Sequence, residues 1–159
     1  MNKTYLLLGS NIGNSRQQLL TAIKNIAKQV GNVTRQSSLY ATAAWGNTDQ
    51  PDFLNQVIVV ETTLSALQTM EVILNIENKM GRVRTIKNAP RMIDIDILFF
   101  NKVIIAEKNL AVPHPEIENR QFVLIPLNEL SPNFKHPVSH KTIHQLLVNC
   151  ADALDVKKF

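Results

Sequence analysis

A chain of 159 residues, 45% hydrophobic and 19% charged, carries enough apolar material for one buried core, so a single domain over residues 1–159 is expected. Its net charge of +4 suits an anionic ligand without separating nucleotide from nucleic acid. One cysteine, Cys150, excludes an internal disulfide and a Cys-x-x-Cys centre, and no apolar run reaches the length of a membrane span. The expectation is a cytoplasmic protein with no membrane partner.

In chain order, Tyr5-Leu6-Leu7-Leu8 reads as a buried strand closed by Gly9-Ser10-Asn11-Ile12-Gly13-Asn14, a turn into a helix capped at Asn14 or Ser15. Leu19, Leu20, Ile23, Ile26, Ala27 and Val30 recur at helical spacing, which predicts a helix over about 15–30 that Gly31-Asn32 ends. No Gly-Lys-Ser/Thr and no GxGxxG is present, so neither a P-loop nor a dinucleotide fingerprint is available. A second strand is predicted over 33–40, a polar loop over 47–52 and a third strand over 56–62, with Phe53-Leu54-Asn55 leading into it. Trp45 either anchors its loop on the core or lids a flat ligand, and Phe53 has the same two readings. A second helix runs from 64 or 65 to Met80, where Gly81 stops it; Glu77, near its end, either faces the arginines that follow or is a surface acid.

Those arginines form a basic, polar loop: Arg82, Arg84, Lys87 and Arg91. It runs into Arg91-Met92-Ile93-Asp94-Ile95-Asp96-Ile97-Leu98-Phe99-Phe100, whose alternation predicts a strand with both carboxylates on one face, their Cα atoms roughly 6–7 Å apart. Such a pair repels unless a proton, basic groups or a cation relieves it, or unless it simply faces water. Carboxylates are hard ligands, so the cation would be Mg²⁺ or a relative, and arginines beside it make sense if the ligand is a polyphosphate. A hairpin is predicted through Asn101-Lys102. Next comes a rigid segment over 110–115, in which two prolines fix His114, and then a helix start over 119–124 carrying Arg120 and Phe122. His140 and His144 have i, i+4 spacing but lack a third ligand, and read as exposed or capping histidines. The element order matches an α+β, ferredoxin-like split β-α-β core, a mainly antiparallel sheet with two helices on one face. An RNA-binding module could share that architecture, but no RNP1-like run occurs and the Asp pair would repel phosphate, so no nucleic-acid partner is expected.

Lys87-x-Ala89-Pro90-Arg91-x-x-Asp94-Ile95-Asp96-Ile97-Leu98 resembles the signature of the 6-hydroxymethyl-7,8-dihydropterin pyrophosphokinase family. Leu8-Gly9-Ser10-Asn11, Tyr40-Ala41-Thr42, Asp49-Gln50-Pro51-Asp52-Phe53-Leu54-Asn55, Gly81-Arg82-Val83-Arg84, Val112-Pro113-His114 and Asn119-Arg120-x-Phe122 are similar to it too, in the family's order. The resemblance implies pyrophosphate transfer from ATP to the pterin, release of AMP and two Mg²⁺ ions held by Asp94 and Asp96. By the same resemblance Arg82 and Arg91 join that pair in catalysis. Glu77, Arg82, Arg84, Arg91, Ile97, His114 and Arg120 are implied around ATP, and Thr42, Trp45, Phe53, Asn55 and Phe122 around the pterin. A monomer acting on small molecules is the corresponding expectation. The chain departs from the family's pattern at Phe53, where tyrosine is frequent, at Asn88 and Ala89, and at Asn109 and Ala111.

Overall fold

The computed structural model describes residues 1–42, 52–81 and 93–159. In it the apolar run near the amino end becomes β1 (Asn2–Ser10), an inner strand paired antiparallel with β4 (Phe53–Thr62) on one side and β5 (Asp94–Phe100) on the other. Along its far side β4 carries two short strands, β2 (Asn32–Gln36) and β3 (Tyr40–Thr42), and β3 is bordered in turn by β8 (Val156–Lys158). Every pairing in this sheet, of order β5-β1-β4-β3-β8 with β2 beside β4, is antiparallel. Helix α1 (Ser15–Gln29) connects β1 to β2, and α2 (Ala66–Lys79) connects β4 to β5, which is the α+β arrangement expected from the element order.

Local chemistry sets the helix boundaries. The Asn14 side chain accepts the Gln17 N–H at 3.1 Å and starts α1. Ser65 and Gln68 cap α2 reciprocally, each side chain accepting the other's backbone N–H. After α1, Gly31 passes so close to β4 that a Cβ there would stand 2.0 Å from the Glu61 carbonyl oxygen. Only glycine allows that turn into β2.

The period of two divides the strands between two cores. Leu6, Leu8, Ile58, Val60, Ile95 and Ile97 face α1 and α2, meeting Leu19, Ile26, Ile73 and Ile76. Tyr5, Leu7, Val57, Val59 and Phe99 face a second helical layer, α3 (Gln121–Leu130) and α4 (Ile143–Val148), through Val123, Leu124, Leu127 and Ile143. Helices therefore cover both faces, where the sequence suggested one. A sheet buried on both sides explains why β1 reads as an unbroken apolar run. The second layer is hard to read because α3 contains Pro126 and α4 has only 6 residues.

Three further boundaries differ from expectation. The predicted strand over 33–40 breaks at residues 37–39, where Ser37 uses its hydroxyl to accept the Val57 N–H at 3.0 Å and its carbonyl to accept Gln56 Nε2 at 2.9 Å. β4 begins at Phe53 rather than Gln56, so Phe53 and Asn55 belong to the sheet. The hairpin through Asn101-Lys102 does not form. Asn101, at φ 49°, closes on β1 instead, donating its N–H to the Lys3 carbonyl at 2.7 Å and accepting the Lys3 N–H at 2.8 Å. β6 (Ile105–Glu107) then pairs with β7 (Leu110–Val112) in a separate ribbon. Among the described residues, no helix is long and apolar enough to cross a membrane.

Candidate active site

The sheet register assembles one end of one face. Tyr40, Asn55, Gly9 and Asp94 form a row across β3, β4, β1 and β5. Val57, Leu7 and Asp96 form the next row inward, and Thr42 and Phe53 pair in the next row outward. Residues two apart on a strand share a face, so Thr42, Phe53, Asn55, Asp94 and Asp96 all lie on the α3 side. At about 4.8 Å per strand, Asn55 and Asp94 are roughly 10 Å apart with Gly9 between them. A Cβ on Gly9 would come within 2.9 Å of Asn55 Oδ1 and 3.6 Å of the Phe53 ring. The missing side chain leaves a flat floor between an aromatic ring, an amide and a carboxylate.

Two groups on that floor are buried yet chemically available. Asn55 is only 3% exposed, and its Nδ2 has no hydrogen-bond partner among the described residues. An unsatisfied buried donor costs about 1–3 kcal/mol, which an acceptor on a ligand would recover. Thr42, also buried, donates its hydroxyl to the Asp155 carbonyl at 3.2 Å, so its remaining capacity toward a ligand is as an acceptor.

Asp94 and Asp96 are half-buried on an outer strand. The backbone N–H of Ile95, between them, points to the side of β5 away from β1, and Glu77 of α2 accepts it through Oε2 at 2.7 Å. Glu77 is completely buried, which removes the reading of a surface acid. Its carboxylate supplies the acceptor that a further strand would have given. Ile97 points the other way, into the α1–α2 core at 3% exposure, so any ligand contact there would come from its backbone.

Beyond β7 the chain returns alongside β5, where the His114 N–H donates to the Leu98 carbonyl at 2.9 Å. His114 Nδ1 accepts the Glu116 N–H at 3.1 Å, which leaves the ring proton on Nε2. Burial and then the Arg120 charge hold His114 below its ordinary pKa, against the opposing pull of Glu116 and Asp94. A neutral ring with an Nε2–H donor results at pH 7. The Arg120 guanidinium lies 5.6 Å from the centre of the Phe122 ring, which itself packs on the core around Tyr5 and Leu7. Arg82, Arg84, Arg91 and Trp45 lie outside the described residues, as do Asn88 and Ala89. His140 and His144 are exposed, and because α4 starts only at Ile143 they do not share a helix. Among the described residues, no group of three or more His, Cys, Asp or Glu side chains could hold a metal. Any ion at Asp94 and Asp96 would therefore need ligands beyond the side chains of the described residues.

Residues 5–132 match the family model of 7,8-dihydro-6-hydroxymethylpterin-pyrophosphokinase (HPPK). This chain belongs to the HPPK family. A Methylorubrum extorquens 2-amino-4-hydroxy-6-hydroxymethyldihydropteridine pyrophosphokinase is 40% identical over 134 residues, 84% of this chain and 85% of that one. The Haemophilus influenzae protein of the same name is 37% identical over 159 residues, covering 99% and 98%. The Dictyostelium discoideum folic acid synthesis protein FOL1 is 39% identical over 148 residues, and this chain spans 93% of itself but only 22% of that much longer relative. A crystal structure of Plasmodium falciparum HPPK-DHPS superposes with a TM-score of 0.78 at 23% identity, covering 92% of this chain and 44% of that one, a likeness of fold.

Several contacts around this candidate site escaped the sequence. Tyr40 shares a row with Asn55, and its hydroxyl donates to Glu129 of α3 at 2.5 Å. Burial and the Glu129 carboxylate push the Tyr40 phenol up to about 12. Burial also pushes the Glu129 carboxyl up, but hydrogen bonds from Tyr40 and Ser38 outweigh it and hold Glu129 below its ordinary pKa. Asp152, 31 residues downstream of Gln121, accepts the first N–H of α3. Partners so far apart in the chain leave no local pattern to read.

Proposed function

We propose that this chain transfers pyrophosphate from Mg²⁺-bound ATP to 6-hydroxymethyl-7,8-dihydropterin, releasing AMP, as a step of folate synthesis. The observation that carries the reading is the shared sheet face, with a ring-sized floor and a buried amide donor at one side and two carboxylates roughly 10 Å away. Family membership supplies the reaction. The floor suits a flat bicyclic ring, with Phe53 and Phe122 offering stacking faces, Asn55 donating and Thr42 accepting. Trp45, on the same reading, belongs to the pterin side.

The hydroxymethyl oxygen attacks the β-phosphorus of ATP, the bond from that phosphorus to the oxygen bridging the α-phosphate breaks, and AMP leaves while the alcohol's proton is lost. The donor set fits Mg²⁺, which takes one or two protein carboxylates and completes its shell with phosphate and water oxygens. When bound, the two ions would neutralise charge on the triphosphate. Asp94 and Asp96 would hold them, and Glu77 would fix the backbone from which both carboxylates project. His114, neutral with its proton on Nε2, and Arg120 would donate to phosphate oxygens. Arg82, Arg84 and Arg91 would add positive charge there, and Ile97 would contribute only main-chain contacts. Positioning and charge neutralisation suffice for such a transfer without a nucleophilic side chain.

We extend the proposal to one domain acting as a cytoplasmic monomer. One sheet that includes both Asn2 and Lys158 supports the single domain. The test is AMP release from Mg-ATP with and without the pterin. AMP is expected only when both the pterin and Mg²⁺ are present, and Asp96→Ala should slow it by at least about 10²-fold. Near-normal turnover in Asp96→Ala would overturn the metal assignment, and pterin-independent AMP would overturn the reaction.

A further inference from the structure

The helix that brings Arg120 and Phe122 to the site begins without a local cap. Its first residue is Gln121, so the cap position falls on Arg120, whose guanidinium carries only donors and cannot accept an N–H. One of the first-turn N–H groups that has no partner within the helix, that of Gln121, is taken by Asp152, with Oδ2 3.0 Å from the Gln121 nitrogen. The other oxygen, Oδ1, accepts the Leu154 N–H at 3.0 Å, so the same carboxylate also shapes the turn that sends the chain on into β8. A negative group at a helix N-terminus is favoured by the helix dipole as well as by this bond.

The chain then reaches the opposite wall of the floor. Val156, Lys157 and Lys158 pair with Thr42, Ala41 and Tyr40, and the Phe159 N–H donates to the Leu39 carbonyl at 2.8 Å. On the way the Asp155 carbonyl accepts the Thr42 hydroxyl, which commits that proton and turns the Thr42 lone pairs toward other partners. The residues from Asp152 to Phe159 lie beyond residue 132, where the family match ends.

We propose that residues 152–158 are a positioning strap for the pterin subsite, with Asp152 as its anchor, setting Phe122 and Arg120 at one wall and the hydrogen-bond polarity of Thr42 at the other. This rests on the pterin reading above. The far end of α3 has anchors outside the strap, since Glu129 accepts from Ser38, and from Tyr40, which β4 also holds, and the Leu130 carbonyl accepts from Arg35. Loosening the strap therefore disturbs the beginning of α3 while its end stays in place. Asp152 is a positioning residue, acting through the backbone of Gln121.

The test compares pterin binding, by titration in the presence of Mg²⁺ and a non-hydrolysable ATP analogue, with kcat, the KM for ATP and Tm. Asp152→Ala should weaken pterin binding about tenfold, the effect of a lost helix cap, while the KM for ATP, to which Arg120 is only one of several contacts, and kcat at saturating pterin change by no more than about threefold. Asp152→Asn keeps one acceptor and should recover part of the loss. Gln121→Pro covers the case in which Asp152→Ala fails to fold. Proline suits the first helical position and lacks the N–H, and Arg120, at φ −134° and ψ 111°, already has the extended backbone a following proline requires. It should weaken pterin binding similarly, and adding Asp152→Ala to it should cost less than Asp152→Ala alone. Unchanged pterin binding in Asp152→Ala or Gln121→Pro overturns the strap while leaving the pterin reading intact. So does a loss that tracks Tm and affects ATP and pterin alike. Failure of the unaltered chain to bind the pterin overturns that reading and the strap with it.

Discussion

Glu77 offers a direct test of how the two aspartates are held. Its side chain is completely buried, and Oε2 accepts the N–H of Ile95, itself 4% exposed, at 2.7 Å. Removing the acceptor in Glu77→Ala strands a buried N–H and forfeits a hydrogen bond to a charged group, about 1.5–3 kcal/mol. The vacated methylene adds about 0.8 kcal/mol, so the change should cost about 2–4 kcal/mol in all. A chain of this size loses about 2–4 °C of Tm per kcal/mol, which places the expected fall at roughly 5–15 °C. Glu77→Gln retains an acceptor oxygen but makes a neutral bond and buries an extra N–H₂ group, so it should fall in between. Thermal and urea unfolding of the three proteins would measure this. If Glu77→Ala melts within about 2 °C of the unaltered chain, the bond is not what secures β5. If Glu77→Gln is the more stable protein, desolvation of the carboxylate outweighs the bond, and its retention would have to be explained by the site rather than by the fold.

Gly9→Ala would put a methyl group 2.9 Å from Asn55 Oδ1, so the amide must move; the pterin KM should rise about tenfold with Tm nearly unchanged, and an unaltered KM would refute the floor. His114 and His136 are both held below the ordinary value of 6.5, chiefly by burial, and are therefore neutral in the folded chain at pH 7. The unfolded chain takes up the protons first, so the stability these rings contribute is full above pH 6.5 and is lost as pH falls through their lowered folded values. Urea unfolding between pH 7.5 and 5, on the unaltered chain and His136→Asn, should give a shallower pH slope in the variant. Parallel slopes would contradict the assignment for His136.

The sequence made the strand and helix faces of the candidate site legible but little of their framing. Asp94 and Asp96 could be placed on one face because strand periodicity is local, and α1 and α2 were readable because their apolar residues recur every three or four positions. The start of β4 was missed because Phe53-Leu54-Asn55 adjoins a polar loop. Tertiary pairing with Ser10 and Gly9 is what makes it strand. The hairpin through Asn101 was misread for a similar reason: the turn residues are present, but the Lys3 backbone competes for their hydrogen bonds. Glu77 could be seen near the site but not its burial, since nothing in the sequence says that an acid ending α2 meets the N–H of Ile95.

The two inner strands would let the proposed pterin and phosphate subsites share one surface. β1 lies between the strand that carries Asn55 and the strand that carries the aspartates, so it must present no bulk where a ring would bridge them. Gly9 meets that need on the site face, while Leu8, one residue earlier, is fully buried in the α1–α2 core. Flatness on one face and packing on the other are thus supplied by adjacent residues, at almost no cost to the core. The two strands at the margins of the site are each secured by a group from elsewhere in the chain: β5 by the Glu77 carboxylate, and β3 by β8 and the Asp155 carbonyl. A site spread across four strands is only as precise as its edges. For that reason the edge contacts, rather than the central pairs, are where substitutions should separate binding of one substrate from binding of the other.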